Sequence, residues 1–296
     1  MKRVSLCFLS LALLGSCGQD DDVAPQPVEI NRQDIGIADG FQYTFQYFDI
    51  DQFPVPQGGE NQTWDFSKLP LDGPGKRPGT TYFAVSNPDV PTANIGFASG
   101  LSLFFEDFVI PHTALRKLDD TGYFDLGRMQ TVDTAIAIFG GAGTLRFPPQ
   151  NQLYDAPNPV AFFPMTFGEE RQSNYNLHID YLVTYPAAGL NNTPASQVDS
   201  CSSSLEVIGW GELLLPGHSK SFRVLLLERT ETRSFNFFLG GAPAPKPLLD
   251  ALGLVDGREE TVRELEFYAP QYGRIAAFLS VDGEKYWAIY RDDLPK

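Results

Sequence analysis

Phe41, Tyr43, Phe45 and Tyr47 occupy every second position of one segment, with Gln42, Thr44 and Gln46 between them. A period of two puts four aromatic rings on one face of an extended strand, and no helix produces it. The rest of the chain is written in the same way. Its 27 Gly and 23 Pro interrupt any long helical pattern, and 23 Phe and 12 Tyr against 3 Met favour half-buried pleated surfaces. With 43% hydrophobic residues the chain can bury a sizeable core.

Further strands follow from composition. Leu101 to Ile110 is β-rich, and Arg171–Tyr185, Ser204–Leu215 and Phe222–Phe237 are long enough for extended or bent strands. Val224-Leu225-Leu226-Leu227 is apolar at consecutive positions, as in a strand buried on both faces. Glu228 to Arg233 is charged or hydroxylated throughout and reads as the same strand leaving the core for solvent. Asp282-Gly283, between Ile275–Val281 and Lys285–Arg291, is a hairpin signal, since a type I′ turn needs positive φ at both central residues. Asp39-Gly40, Asp72-Gly73 and Asp256-Gly257 mark other turns. One short helix is expected at Pro247–Leu252, with Gly253 at its C-terminal end. Closely spaced strands without intervening helices predict an all-β body over residues 34–296. It is expected to be an antiparallel β-sandwich or jelly roll with little helix, and residue 150 is the candidate division between two packed subdomains.

The N-terminus carries a different kind of signal. Lys2 and Arg3 precede an apolar run from Val4 to Leu14, too short to cross a bilayer as a helix but the length of a signal-peptide core. The run ends in Leu14-Gly15-Ser16-Cys17, which resembles the bacterial lipobox. That resemblance implies cleavage of a signal peptide spanning residues 1–16 and lipidation of Cys17. Gly18-Gln19-Asp20-Asp21-Asp22 resembles the acidic export tag of surface-exposed Bacteroidetes lipoproteins, and residues 17–33 read as a polar tether. A lipid-anchored protein of the outer membrane, facing the cell exterior, is the expectation. Cys7 leaves with the signal and Cys17 is used by lipid, so Cys201 stands alone and is expected to be an inert, buried thiol.

Within the body, Gly59-Glu60-Asn61-Gln62-Thr63-Trp64-Asp65-Phe66-Ser67-Lys68-Leu69 resembles a stretch found in a family of uncharacterised secreted Bacteroidetes proteins, many with a C-terminal type IX sorting domain. Ile208-Gly209-Trp210-Gly211-Glu212-Leu213-Leu214-Leu215-Pro216-Gly217 with Phe222-Arg223-Val224 resembles a second signature of that family. Phe163–Glu169, Glu266–Pro270 and Ala277–Val281 resemble further elements of it. Trp210, Glu212 and Arg223 depart from the usual pattern. The resemblance implies location and fold and brings no activity. Read by themselves, Trp64 and Phe66 lie two apart and pack inward, Gly209 and Gly211 suit a bulge, and Pro216-Gly217 a turn.

Catalytic templates are missing. Gly75-Lys76 is followed by Arg77 where a P-loop needs Ser or Thr, and Gly141-Ala142-Gly143 and Gly209-Trp210-Gly211 lack the third glycine of a dinucleotide fingerprint. There is no G-x-S-x-G, H-E-x-x-H or C-x-x-C, and His112, His178 and His218 are far apart in sequence. Glu106-Asp107, Glu169-Glu170 and Glu259-Glu260 are raw material for a glycosidase pair. Asp119-Asp120-Thr121-Gly122 with Asp125 reads as an acidic turn rather than a calcium site. Asp133-Thr134-Ala135 fits a Bacteroidetes O-glycosylation pattern with Thr134 as acceptor. The formal charge of -15 argues against nucleic acid. The expected role is non-catalytic: binding a glycan, peptide or envelope protein, or a purely structural part, with a membrane contact through lipid and with no cofactor or metal. The competing expectation is a surface hydrolase acting on glycans through paired carboxylates.

Overall fold

The computed structural model describes residues 25–73, 77–102 and 109–295. In chain order the strands are β1 (Gln42–Tyr47), β2 (Gly59–Asp65), β3 (Arg77–Ala84), β4 (Ile95–Ser102), β5 (Val109–Asp119), β6 (Gly122–Gln130), β7 (Thr134–Ile138), β8 (Gly143–Phe147), β9 (Gln150–Phe162), β10 (Glu170–Tyr185), β11 (Leu190–Leu214), β12 (Phe222–Leu239), β13 (Ala242–Pro243), β14 (Arg258–Ala269), β15 (Gly273–Val281) and β16 (Glu284–Arg291). The helix α1 (Lys246–Leu252) ends on Gly253 in the left-handed conformation, and Asp282 and Gly283 both take positive φ in the β15–β16 hairpin. These local features are as the sequence predicts.

The all-β expectation holds, but the layering does not. Twelve of the strands form a closed antiparallel ring in the order β10-β11-β12-β14-β15-β16-β1-β3-β4-β5-β6-β9 and back to β10, a barrel rather than a sandwich or jelly roll. Two pairings distinguish the barrel from stacked sheets. β1 pairs with β16, Gln46 opposite Tyr290, and β9 meets β10 at Leu177 and Tyr154. The first joins the two ends of the ring in sequence and the second is a single bridge between consecutive strands, so the strand pattern that suits a sandwich suits a barrel equally well. Strands from either side of residue 150 share the ring.

The β9–β10 seam has little backbone ladder, and side chains take its place. The Asp155 carboxylate accepts from the Asn176 backbone N–H at 2.7 Å and from its amide Nδ2 at 2.7 Å. Gln150 donates to the Asp180 carbonyl at 2.7 Å and accepts from the Asp180 N–H at 3.0 Å. Each satisfies donors that an unpaired strand edge would leave open.

Three of the apolar clusters frame the barrel. Outside the ring, β2 and the loops around Phe48, Phe53 and Phe66 cover β12, β14, β15 and β16, burying Val224, Leu226, Leu265, Phe267 and Phe278. Leu225 and Leu227 face inward, so Val224–Leu227 is buried on both faces as its composition implies. At one end of the barrel, Ile30 and Ile35 from the N-terminal segment join Phe163 and Met165 as a plug, held by an Ile30–Met165 bridge and by Asp34 accepting from the Gln271 N–H at 2.8 Å. At the other end, Ile136, Ile138, Leu145 and Phe147 of the β7–β8 hairpin pack on Leu177, Ile179 and Tyr181 of β10. The outer face of the long strands carries Asn174, Asn176, Ser200, Ser202, Thr232 and Ser234, a polar surface and not the apolar band of a lipid-facing barrel.

The two resembling stretches lie side by side. β2 runs parallel to β11, with Gln62 opposite Gly211 and Trp64 opposite Leu213. A Cβ on Gly211 would stand 1.9 Å from the Gln62 carbonyl oxygen, so the glycine is what lets β2 lie there. Trp64 and Phe66 pack inward beneath β2, while Asp65 stays exposed and caps Ser67.

Candidate functional site

About eight strands close a barrel that side chains can fill; a ring of twelve encloses more space than that. Between the two apolar ends the interior is polar. On β12, Leu225, Leu227, Arg229, Glu231 and Arg233 alternate and all face inward, and Glu231 is 1% exposed. The segment Glu228–Arg233 therefore does not leave the core: Glu228 meets Arg263 on the outside, while the odd-numbered residues line the lumen. β14 supplies Glu264, Glu266 and Tyr268, and β15 supplies Arg274.

These groups form one ionic network. Arg229 bridges Glu231 at 3.2 Å and Glu264 at 2.6 Å, Arg233 also pairs with Glu231, and Arg274 contacts Glu266 at 2.5 Å and Glu264 at 3.6 Å. Tyr175 donates to Glu231, and Tyr268 donates to Glu266 at 2.8 Å. Burial pushes the Glu231 carboxyl up, but Arg233 and Arg229 outweigh it and hold Glu231 below the ordinary glutamate value. Glu264 is likewise held down against burial by Arg229 and Arg274. Glu266 goes the other way, raised by burial and then by Glu264. On the facing wall Arg116 of β5 pairs with Asp125 of β6 at 2.7 Å and stacks over Phe97 at 5.3 Å. Tyr43 and Tyr82 share a hydrogen bond of 2.9 Å.

Between these walls lies a cavity of about 290 Å³, bordered by aromatic rings of Phe41, Tyr43, Tyr82, Phe97, Tyr123 and Tyr154 and by the guanidinium groups of Arg116, Arg229, Arg233 and Arg274. A second cavity of about 210 Å³ adjoins it, sharing Phe97, Arg116, Asp125 and Tyr154 and reaching His112 and Arg128. Aromatic walls with a few convergent polar groups are the ordinary make-up of a small-molecule site.

The residues singled out in the sequence are scattered. Cys17 and Glu106-Asp107 lie outside the described residues, as does the Gly75-Lys76 pair. Thr134 begins β7, an edge strand, beside the Asp133–Arg146 ion pair. Glu169, Glu170 and Glu259 border neither interior cavity. Asp119 caps its own turn through Thr121 and Gly122, while Asp125 turns inward to Arg116, so the two do not converge. Among the described residues no group of three His, Cys, Asp or Glu side chains is placed to hold a metal ion. Cys201 is buried, and burial followed by Glu231 pushes its thiol up to about 12, which makes it inert near neutrality. His178 and His218 are outside, whereas His112 borders the second cavity. Burial and then the Arg128 charge lower its imidazole to about 4.

The interior Arg and Glu residues were missed because a charged run reads as solvated. The usable signal was parity: Arg229, Glu231 and Arg233 continue the odd-numbered face of Leu225 and Leu227. Comparison with protein-family models, with curated proteins and with solved structures returned no match.

Proposed function

We propose that this chain is a lipid-anchored envelope protein whose barrel binds a small polar organic molecule without catalysing a reaction on it. The observation that carries the binding part is the interior cavity, walled by tyrosine and phenylalanine rings and by arginines whose carboxylate partners hold them in place. Such a lumen is built for hydrogen bonding and stacking. At about 290 Å³ it suits a sugar unit, an amino-acid derivative or a short peptide end rather than a whole polymer. The anchor part rests on Leu14-Gly15-Ser16-Cys17 and the acids that follow, with the barrel as the cargo of that lipid. The hydrolase reading is weaker because the lumenal glutamates Glu231, Glu264 and Glu266 are each held by arginine.

Each part has its own test. Cys17→Ser should move the chain from the membrane to the soluble fraction or leave it uncleaved, and mass spectrometry of the wild-type N-terminus should find a lipid-modified Cys17. An unmodified N-terminus elsewhere removes the anchor. For the barrel, a thermal-shift screen of the full chain against sugars, dipeptides and small organic acids should raise the melting temperature for one of these classes. A screen that shifts nothing removes the binding role.

A further inference from the structure

The second cavity contains an imbalance that the ionic network does not explain. Arg128 of β6 faces the lumen and donates through Nε to the Gln152 side chain, but no ion pair joins it to a carboxylate among the described residues. Its Nη2 is buried and has no hydrogen-bond partner among the described residues, and the same holds for the Nε of Arg116 across the cavity. A buried guanidinium without an anion is expensive to keep, since desolvation is not repaid by a partner. All the other interior arginines described above have carboxylates at contact distance.

We infer that the adjoining cavity at Arg128 and Arg116 is the subsite for the carboxylate of a small organic acid, whose body lies between Phe97 and Tyr154. This rests on the binding role proposed above and names its ligand class. The choice of a carboxylate follows from the donors left around the cavity. Asp125 pairs with Arg116, His112 is neutral near pH 7, Tyr154 is an uncharged phenol raised by burial, and Arg128 is in ion-pair contact with no carboxylate among the described residues. Burial lowers the Arg128 guanidinium, Tyr154, Asp125 and Asp199 oppose that shift from beyond ion-pair distance, and Arg233 adds to it. Two buried N–H groups without a partner among the described residues, Arg128 Nη2 and Arg116 Nε, match the two oxygens of one carboxylate. Guanidinium N–H groups also suit the two oxygens of a carboxylate. The unpaired cation is stabilised when that ligand arrives, so part of the binding strength is stored in the empty protein.

The experiment uses the full chain in mild detergent and calorimetric titration with benzoate, acetate, benzamide and inorganic phosphate as probes. Benzoate should bind more tightly than its neutral isostere benzamide. Arg128→Gln should weaken benzoate by about ten- to a hundredfold, the loss of one charge-assisted hydrogen bond, and leave benzamide unchanged. Arg128→Met, without ligand, should raise the melting temperature by about 2–4 °C, because a buried unpaired charge is removed. A structural arginine would lower it instead. Equal binding of benzoate and benzamide, phosphate displacing benzoate, or a melting temperature that falls in Arg128→Met overturns the carboxylate subsite while the cavity keeps its binding role. No heat with any of the four probes, at concentrations where the screen's own hit still binds, also overturns the subsite. If that screen found no hit either, the binding role falls with it.

Discussion

Glu231 shows how a single side chain fits an interior that composition would place in solvent. It is 1% exposed, accepts from Tyr175, and pairs with Arg229 and Arg233. Glu231→Gln keeps the shape but leaves two buried guanidinium groups undercompensated, and should destabilise the barrel by about 3–5 kcal/mol in denaturant unfolding. The sign of its pH dependence is fixed by its direction of shift. Glu231 and Glu264 sit below the ordinary glutamate value of 4.5, so the folded state binds fewer protons than the unfolded chain there. Their stabilisation is present above that value and is lost as pH falls through the depressed folded values. Glu266, shifted upward, contributes with the opposite sign. The unfolding midpoint should therefore drop on acidification below about pH 4.5, and the drop should be smaller in Glu231→Gln. A parallel fall in both proteins would mean that Glu231 is not one of the groups responsible.

At the scale of elements, the long strands succeed because one face changes character along its length while the period stays at two. β12 begins apolar on both faces where β2 and its loops cover the outside, then becomes charged inside and hydroxylated outside once that cover ends. β2 itself is added to the barrel through close backbone approach at Gly211, where a Cβ would come within 1.9 Å of the Gln62 carbonyl. Gly211→Ala should displace β2 and with it Trp64 and Phe66 from the outer apolar layer. The expected readout is a red-shifted Trp fluorescence and loss of amide protection across residues 59–66, with protection retained in β5 and β6. Unchanged protection in β2 would show that the strand is held by its side chains alone.

For the whole molecule, closure is the organising event. β1, the first strand of the ring in sequence, pairs with β16, the last, through Phe45 and Arg291, Gln46 and Tyr290, Tyr47 and Ile289. This long-range ladder completes the wall around the cavity and buries Tyr290, whose hydroxyl donates to Gln46 at 2.7 Å. A chain ending after Val281 loses β16 and exposes the edges of both β1 and β15. It should lose its near-ultraviolet circular dichroism and aggregate, because open apolar edges template pairing between chains. A truncated chain with a native spectrum would mean that the ring need not close for the interior to pack.

What the sequence by itself determined is local. Parity in Phe41–Tyr47, the Asp282-Gly283 turn, the Gly253 helix end, the doubly buried Val224–Leu227 run and the inward Trp64 and Phe66 were all legible, since each depends on neighbours a few residues away. The closed ring was not, because β1–β16 joins distant segments, β9 meets β10 through a single bridge, and a sandwich needs the same alternating strands. Nor was the lumen. A charged run such as Glu228–Arg233 is stable in solvent on its own, and only when Arg229, Glu231, Arg233, Glu264, Glu266 and Arg274 arrive from three strands do their charges neutralise one another inside. Desolvating any one of them alone would be prohibitive; together, and only in the closed barrel, they leave a polar cavity beside Arg128, which has no ion pair among the described residues.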